Sequence, residues 1–229
     1  MSRQSRAEFF KKGQSSKENK ELHKDTISSN SMDPNVWGPP FWDLLFTCCF
    51  NCPTSCQTDL IHLFWLIEYI MPCSHCRRSY AMYRKDLKPS SIITKDNQIS
   101  ASQWLWTMHD MVNQKLGKIC ISFEKLKKRH NSYQCVTSDH IIVDLLAIIS
   151  ISASESRRGK VKDTIEVLGR LLAHCGPCLK IHSYINDVLF TAENIVDDVY
   201  KLKCIVAKNN GLKEQSKENF LEQYKNAMA

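Results

Sequence analysis

Two cysteines two residues apart, in Pro72-Cys73-Ser74-His75-Cys76, are the side chains of this sequence best placed to do chemistry. Pro72 marks a helix entrance, because proline is tolerated where backbone N–H groups have no helical partner. A sulfur at that entrance lies over free N–H groups and the positive end of the helix dipole, with Arg77 and Arg78 close behind. Each of these stabilises a thiolate and lowers its pKa. A short disulfide beside an activated thiolate meets the conditions for thiol–disulfide exchange. Half of a zinc site and an inert structural bridge are the rival readings of the motif alone. Zinc needs two more ligands, and no second pair lies at finger-like distance. Cys175 and Cys178 are the remote pair that would complete a zinc-stabilised helical adaptor.

The elements that must position this pair are helical. Only 7 Gly and 7 Pro in 229 residues leave little material for a turn-rich β protein, so the expected class is all-α, with room for one or two domains. The 11 cysteines are too many for a reduced protein without a use for them, and their odd number leaves at least one unpaired or intermolecular. Met1 to Leu22 has no apolar signal region, which favours working thiols over a secreted disulfide scaffold. The run Ile141 to Ile151 is too short for a membrane span and contains Asp144, so no membrane association is expected. A net charge of +7, with basic residues scattered among acids, reads as a solvated surface. The Lys125-Leu126-Lys127-Lys128-Arg129-His130 run reads as a solvated face, with contact to ligand phosphates or a partner's acid as the alternative, and is too short to argue for nucleic acid.

Residues 1–32 read as a disordered basic arm; as a mitochondrial transit peptide the segment is spoiled by Glu8, Glu18, Glu21 and Asp25. Order begins at the helix-start signal Asp33-Pro34-Asn35. Apolar spacing predicts helices over about 39–50, 57–70, 73–87 and from Ser100 to a C-cap at Gly117, the pattern of a compact four-helix bundle. Lys125 to Tyr133 reads as basic and irregular. Further helices are expected over about 139–152, 159–174, 178–189 and 192–206, then a polar tail or loose helix from Lys208. The division expected is therefore 33–122, a second helical domain over 123–207, and a tail over 208–229. Phe64 and Trp65 read as core, and His62 and His75 as surface or core residues without a special role.

Three blocks stand in order along the chain: Trp37-Gly38-Pro39-Pro40-Phe41-Trp42, the Cys73–Cys76 motif, and the run Trp104-Leu105-Trp106-Thr107-Met108-His109-Asp110-Met111-Val112-Asn113-Gln114-Lys115-Leu116-Gly117-Lys118. In that order they resemble the Erv/ALR family of FAD-dependent sulfhydryl oxidases, over about 37–118, and the first block looks like members from large DNA viruses. The resemblance implies a four-helix bundle that holds FAD against the CxxC. It implies thiol oxidase activity, with protein dithiols and molecular oxygen as substrates and a homodimer as the assembly. Cys76 would stand beside the flavin, and Cys73 would receive electrons from an incoming thiol. Gly38, Trp42, Trp104, His109, Asn113 and Lys118 would line the cofactor. No metal is implied. A viral source would place the protein in host cytoplasm or virion; the mitochondrial intermembrane space is the alternative.

The sequence departs from the family pattern at three places. Phe46 stands where a histidine is usual, Asp110 where an asparagine is, and Met71 where a tyrosine is preferred, so FAD contacts are altered while both sulfurs remain. A catalytically inactive structural relative is the reading those departures keep open. The family's habit of relaying electrons through a second cysteine pair makes Cys175-Gly176-Pro177-Cys178 a candidate shuttle; a bridge between helices of the second domain is the alternative. Cys48, Cys49, Cys52 and Cys56 cluster at the end of the first helix, open to a local disulfide, a shuttle or a bridge to a partner. Cys120, Cys135 and Cys204 are unassigned, because connectivity is not readable from sequence.

Overall fold

The computed structural model describes residues 33–92, 100–130, 137–176 and 179–226, and among these the structure is helical with no strand. The N-terminal arm read over 1–32 lies outside the described residues. Helix α1 is Pro34–Asn51, α2 Gln57–Ile70, α3 Ser74–Asp86 and α4 Ala101–Lys115. In this first group α1 packs on α4 and α2 on α3. The second half contains α5 (Phe123–His130), α6 (Asp139–Ser152), α7 (Glu155–Leu172), α8 (Ile181–Asn186), α9 (Ile195–Asn209) and α10 (Lys217–Asn226).

Local signals explain most helix ends. Asp33 caps α1 by accepting from the Asn35 N–H at 2.9 Å, so the helix begins five residues before the Pro39 start expected from apolar spacing. Pro39 and Pro40 then sit inside it. The carbonyls they leave without partners, on Asn35 and Val36, belong to exposed residues that water can satisfy. Ser100 and Gln103 form a reciprocal capping box at the start of α4. Gly117 follows that helix at φ 64°, a conformation costly for residues with a Cβ.

The two halves share one hydrophobic core. Helix α2 is the hinge of the packing: it faces α3 on one side and lies along α7 on the other, while α1 packs on α6. Helix α6 explains its own composition, because it is enclosed by α1, α7, α9 and α10 and buries Ile142, Val143, Leu145, Leu146, Ala147 and Ile149 almost completely. At Gly169 on α7, an added Cβ would stand 3.0 Å from the Ile185 side chain, so the glycine lets α8 lie close. Arg170 on α7 grips the Asp59 carboxylate on α2 with two nitrogens, at 2.8 and 3.1 Å. This exposed pair adds at most about 1 kcal/mol to an interface made by apolar burial.

Several sequence expectations need correction. The stretch read as irregular is helix α5, which buries Leu126 and His130 against α1 and turns its charges outward; tertiary packing, not local pattern, makes it a helix. Helix α7 starts at Glu155 rather than Gly159, α8 is only 181–186, and α9 runs three residues later than the spacing suggests. Trp65 is not core: it is 39% exposed and carries the Arg84 guanidinium 3.6 Å above its ring. The tail is not loose. Helix α10 docks on α6 through buried Phe220 and Tyr224, and the Tyr224 hydroxyl and Asp144 receive buried Lys203 at 2.7 and 2.8 Å. Phe220→Ala should therefore lower unfolding free energy by about 3–5 kcal/mol, measured by urea denaturation. An unchanged midpoint would mean that α10 does not pack as described.

Candidate thiol site and aromatic cradle

Cys73 is the N-cap residue of α3, and its sulfur accepts the Cys76 backbone N–H at 3.2 Å. Both cysteines are free thiols in this structure. The Cys76 thiol beside it is the largest influence that draws the Cys73 pKa down to about 6, joined by the backbone N–H groups of Cys76 and His75 and the charge of Arg77. The same contact pushes Cys76 far above the usual thiol range, since one negative charge so near disfavours a second; burial adds to this, while Lys115 and Arg77 oppose it. In the dithiol form Cys73 is thus the thiolate. Of the two arginines expected to help, Arg77 does so and also braces the approach to the motif, donating to the Met71 and Pro72 carbonyls at 2.6 and 2.8 Å. Arg78 is exposed and does not enter the balance at Cys73. Cys73 is buried and Cys76 half-buried, and the charge of Lys115 on α4 favours the Cys76 thiolate.

Helices α1, α4 and α5 bring together an aromatic group. The ring of Trp42 lies 4.6 Å from that of His109, and Phe46 lies 5.6 Å from both His109 and His130. Asn113, one turn after His109, places its amide nitrogen 3.3 Å from His109 Nε2. Lys118 reaches back from beyond α4 to Asn35 Oδ1 at 3.3 Å, closing the rim beside the first turn of α1. At Gly38 no atom stands within 4 Å of where a Cβ would be, so the protein itself does not demand a glycine there. Trp104 lies elsewhere: it is 1% exposed, stacked on Phe64 at 4.4 Å, and donates its indole N–H to the Leu87 carbonyl. The Asp110 carboxylate accepts from Gln114 at 2.9 Å.

His130, read from sequence only as the end of a basic run on a solvated face, instead lies inside this aromatic group. It is buried, stacked on Phe50 and next to Phe46, and neither ring nitrogen has a hydrogen-bond partner. The Asp43 carboxylate is 3.7 Å from Nε2, beyond hydrogen-bonding range. Burial holds both His130 and His109 down to about 4, so both imidazoles are neutral at pH 7. An unsatisfied buried imidazole costs stability, yet its neutral ring can donate and accept. Together the open space at Gly38, the Trp42–His109 pair and the idle His130 nitrogens suit a planar, hydrogen-bonding ligand. The only signal available in sequence was that His130 closes a basic run seven residues after Phe123.

Cys175, with Cys48, Cys52 and Cys56, is at the other end of α2. Cys175 is buried against the end of α1, and Cys178 lies outside the described residues. The length of α2, 14 residues or about 21 Å, separates that region from the Cys73 motif, so Cys73, Cys76 and Cys175 do not converge on one zinc ion. Among the described residues no cluster of three or more His, Cys, Asp or Glu side chains is arranged to hold a metal, and no helix is long and apolar enough to cross a membrane.

The matched segment places this arrangement in a class. Residues 39–131 match the Erv1 / Alr family, so the chain carries an Erv1/Alr family domain, and the match includes α5. The chain is similar to the FAD-linked sulfhydryl oxidase of African swine fever virus (isolate Pig/Kenya/KEN-50/1950), 26% identical over 95 residues that make up 40% of this chain and 76% of the relative. It is also similar to protein 347L of Invertebrate iridescent virus 6, provisionally named an FAD-linked sulfhydryl oxidase, at 29% identity over 94 residues, 38% of this chain and 85% of the relative. No solved structure matches.

Two expectations follow. The reduced protein should show a thiolate absorbance step near pH 6 that Cys73→Ser removes and Arg77→Ala moves upward; a first step at ordinary thiol pH would contradict the capping geometry. His130→Phe should raise the unfolding free energy of the ligand-free protein by about 1–3 kcal/mol, because it removes an unsatisfied polar group among aromatic rings. It should also flatten the acid side of the stability profile. As pH falls below the ordinary histidine value of 6.5 towards 4, the unfolded chain binds protons that the folded chain refuses, so wild-type stability declines over that interval. Urea titrations across this range compare the two proteins.

Proposed function

We propose that this chain is an FAD-linked sulfhydryl oxidase that converts protein dithiols into disulfides and passes the electrons to oxygen, 2 R–SH + O2 → R–S–S–R + H2O2. The observation that carries the reading is the thiolate-stabilising Cys73–Cys76 pair at the mouth of α3, within the segment that matches the family. FAD, when bound, supplies a two-electron acceptor that reacts with thiols on one side and oxygen on the other. Gly38, Trp42, His109, Asn113 and Lys118 are proposed to hold it, with Trp104 acting from the core behind them. His130 takes the polar place that Phe46 gives up.

The sulfurs' own geometry orders the exchange. A substrate thiolate attacks the Cys73 sulfur of the Cys73–Cys76 disulfide, and the bond to Cys76 breaks. Cys73 is then uncharged in a mixed disulfide, so the largest influence that held the Cys76 thiol up disappears; burial still opposes its thiolate, while Lys115 and Arg77 favour it. Cys76 becomes a good leaving group at the step that needs one. The second substrate thiol next displaces Cys73, releasing the substrate disulfide and leaving the reduced pair. Lys115 is held for this role by its 2.6 Å bond to Ser79 on α3.

We take 33–130 as the oxidase unit, eight residues beyond the boundary drawn from sequence, because α5 carries His130 and packs on α1. Residues 137–226 form the helical support against α1 and α2. A homodimer remains the proposed assembly. Given the viral relatives, the proposed setting is host cytoplasm or virion, where disulfides are not made by the secretory pathway.

The decisive experiment is the visible spectrum of purified protein followed by oxygen uptake with dithiothreitol. A flavin spectrum, FAD released on denaturation and dithiol-dependent oxygen uptake are expected. Cys76→Ser should keep flavin and drop turnover to background, with a mixed disulfide trapped at Cys73. Gly38→Ala should keep the fold, gaining up to about 1 kcal/mol of helix propensity, and lose flavin. A colourless protein that takes up no added FAD would overturn the proposal and leave the inactive-relative reading.

A further inference from the structure

Four cysteines outside the catalytic pair meet where α1 ends against α7. Cys48 and Cys52 are on successive turns of the end of α1, Cys56 ends the short 3-10 turn Thr54–Cys56, and Cys175 follows α7. The sulfurs of Cys52 and Cys175 donate to the same oxygen, the Leu171 carbonyl, at 3.3 and 3.4 Å. Cys175 also lies 3.8 Å from the Thr47 carbonyl and makes thiol contacts with both Cys48 and Cys52, while Cys52 touches Cys56. Residues far apart in sequence thus share one carbonyl acceptor on the seam between the two halves. Of the two thiols that meet Cys175, Cys48 is completely buried and Cys52 half-exposed, so a reagent in solution reaches Cys52 first.

We propose that Cys52 and Cys175 are an oxidation site, forming a disulfide that staples the end of α1 to the end of α7. The oxidant is a low-molecular-weight disulfide such as oxidised glutathione. The Cys52 thiolate attacks it, giving a mixed disulfide and one released thiol. The Cys175 thiolate then displaces the second, so two protein thiols become one disulfide as the reagent is reduced to two thiols. The catalytic pair takes no part, because α2 holds it about 21 Å away along the helix. This assigns Cys175 to a partner on α1 instead of the electron relay with Cys178. Neighbouring thiols and then burial hold Cys52 and Cys175 well above the usual thiol range, so the staple forms slowly and faster as pH rises. Once formed it closes a loop of more than a hundred residues, which restricts the unfolded chain strongly.

The test uses the full chain, reduced and then incubated with oxidised glutathione, with non-reducing peptide mass spectrometry and thermal melting as readouts. A Cys52–Cys175 linked peptide should accumulate, and the melting temperature should rise by several degrees and fall back with dithiothreitol. Cys175→Ala and Cys52→Ala should each remove both effects, while the Cys73→Ser, Cys76→Ser double variant should still form the staple. If Cys52 and Cys175 stay alkylatable in folded, oxidised protein, or Cys175 links to Cys48 or Cys178 instead, the proposal is overturned. Because the melting readout needs neither flavin nor turnover, its outcome is independent of the oxidase assignment.

Discussion

The hydrogen bond from the Cys76 backbone N–H to the Cys73 sulfur is the point at which fold and chemistry meet. A helix start leaves N–H groups without partners, and here a sulfur fills the place usually taken by a serine or aspartate oxygen. A negative sulfur at that position gains from the helix dipole, so the cap is stronger when Cys73 is a thiolate. The rest of the local structure keeps that geometry. Arg77 ties down the Met71 and Pro72 carbonyls, and the Tyr80 hydroxyl anchors α3 to the Phe64 carbonyl of α2 at 2.7 Å. Lys115 presents a cation from α4. Charge at one sulfur decides the charge at the other, which makes the pair a device for moving a thiolate from one atom to its neighbour.

Helix α2 carries a second constraint. Packed against both α3 and α7, it buries Leu60, Leu63, Phe64, Leu66, Ile67 and Ile70, while Thr58, His62, Trp65 and Tyr69 stay exposed. The thiol pair follows its C-terminal end, and the Cys52–Cys175 cluster precedes its N-terminal end. One rigid rod thus keeps two groups of cysteines apart. At Cys73 the Cys76 thiol, backbone N–H groups and Arg77 together lower the pKa against burial, whereas at Cys52 and Cys175 neighbouring thiols and burial raise it, and at Cys56 burial does.

The aromatic cradle shows compensation across elements. Phe46 removes a polar group from α1, while His130 brings an imidazole to its side from α5, with both nitrogens idle. A fold seldom buries such a group without a partner, and the surrounding rings would tolerate a phenyl group in its place. The histidine's cost to stability is what supports the ligand-binding role proposed for it.

Much of this was legible from residue order. The Asp33 and Ser100 caps, the Gly117 terminator, and the spans of α2 and α6 follow from local stereochemistry and spacing, and local rules hold wherever they act within one turn. The thiolate-favouring position of Cys73 was equally local, since cap, dipole and Arg77 are all neighbours in sequence. What lay beyond reach depended on contacts between distant segments. That α5 is a helix, that Trp65 faces solvent beneath Arg84, that α10 docks, that His130 stands beside Phe46 and that Cys175 meets Cys52 are all decided by which faces the tertiary packing covers. A periodic pattern states that a face will be buried, and only the assembled core states against what.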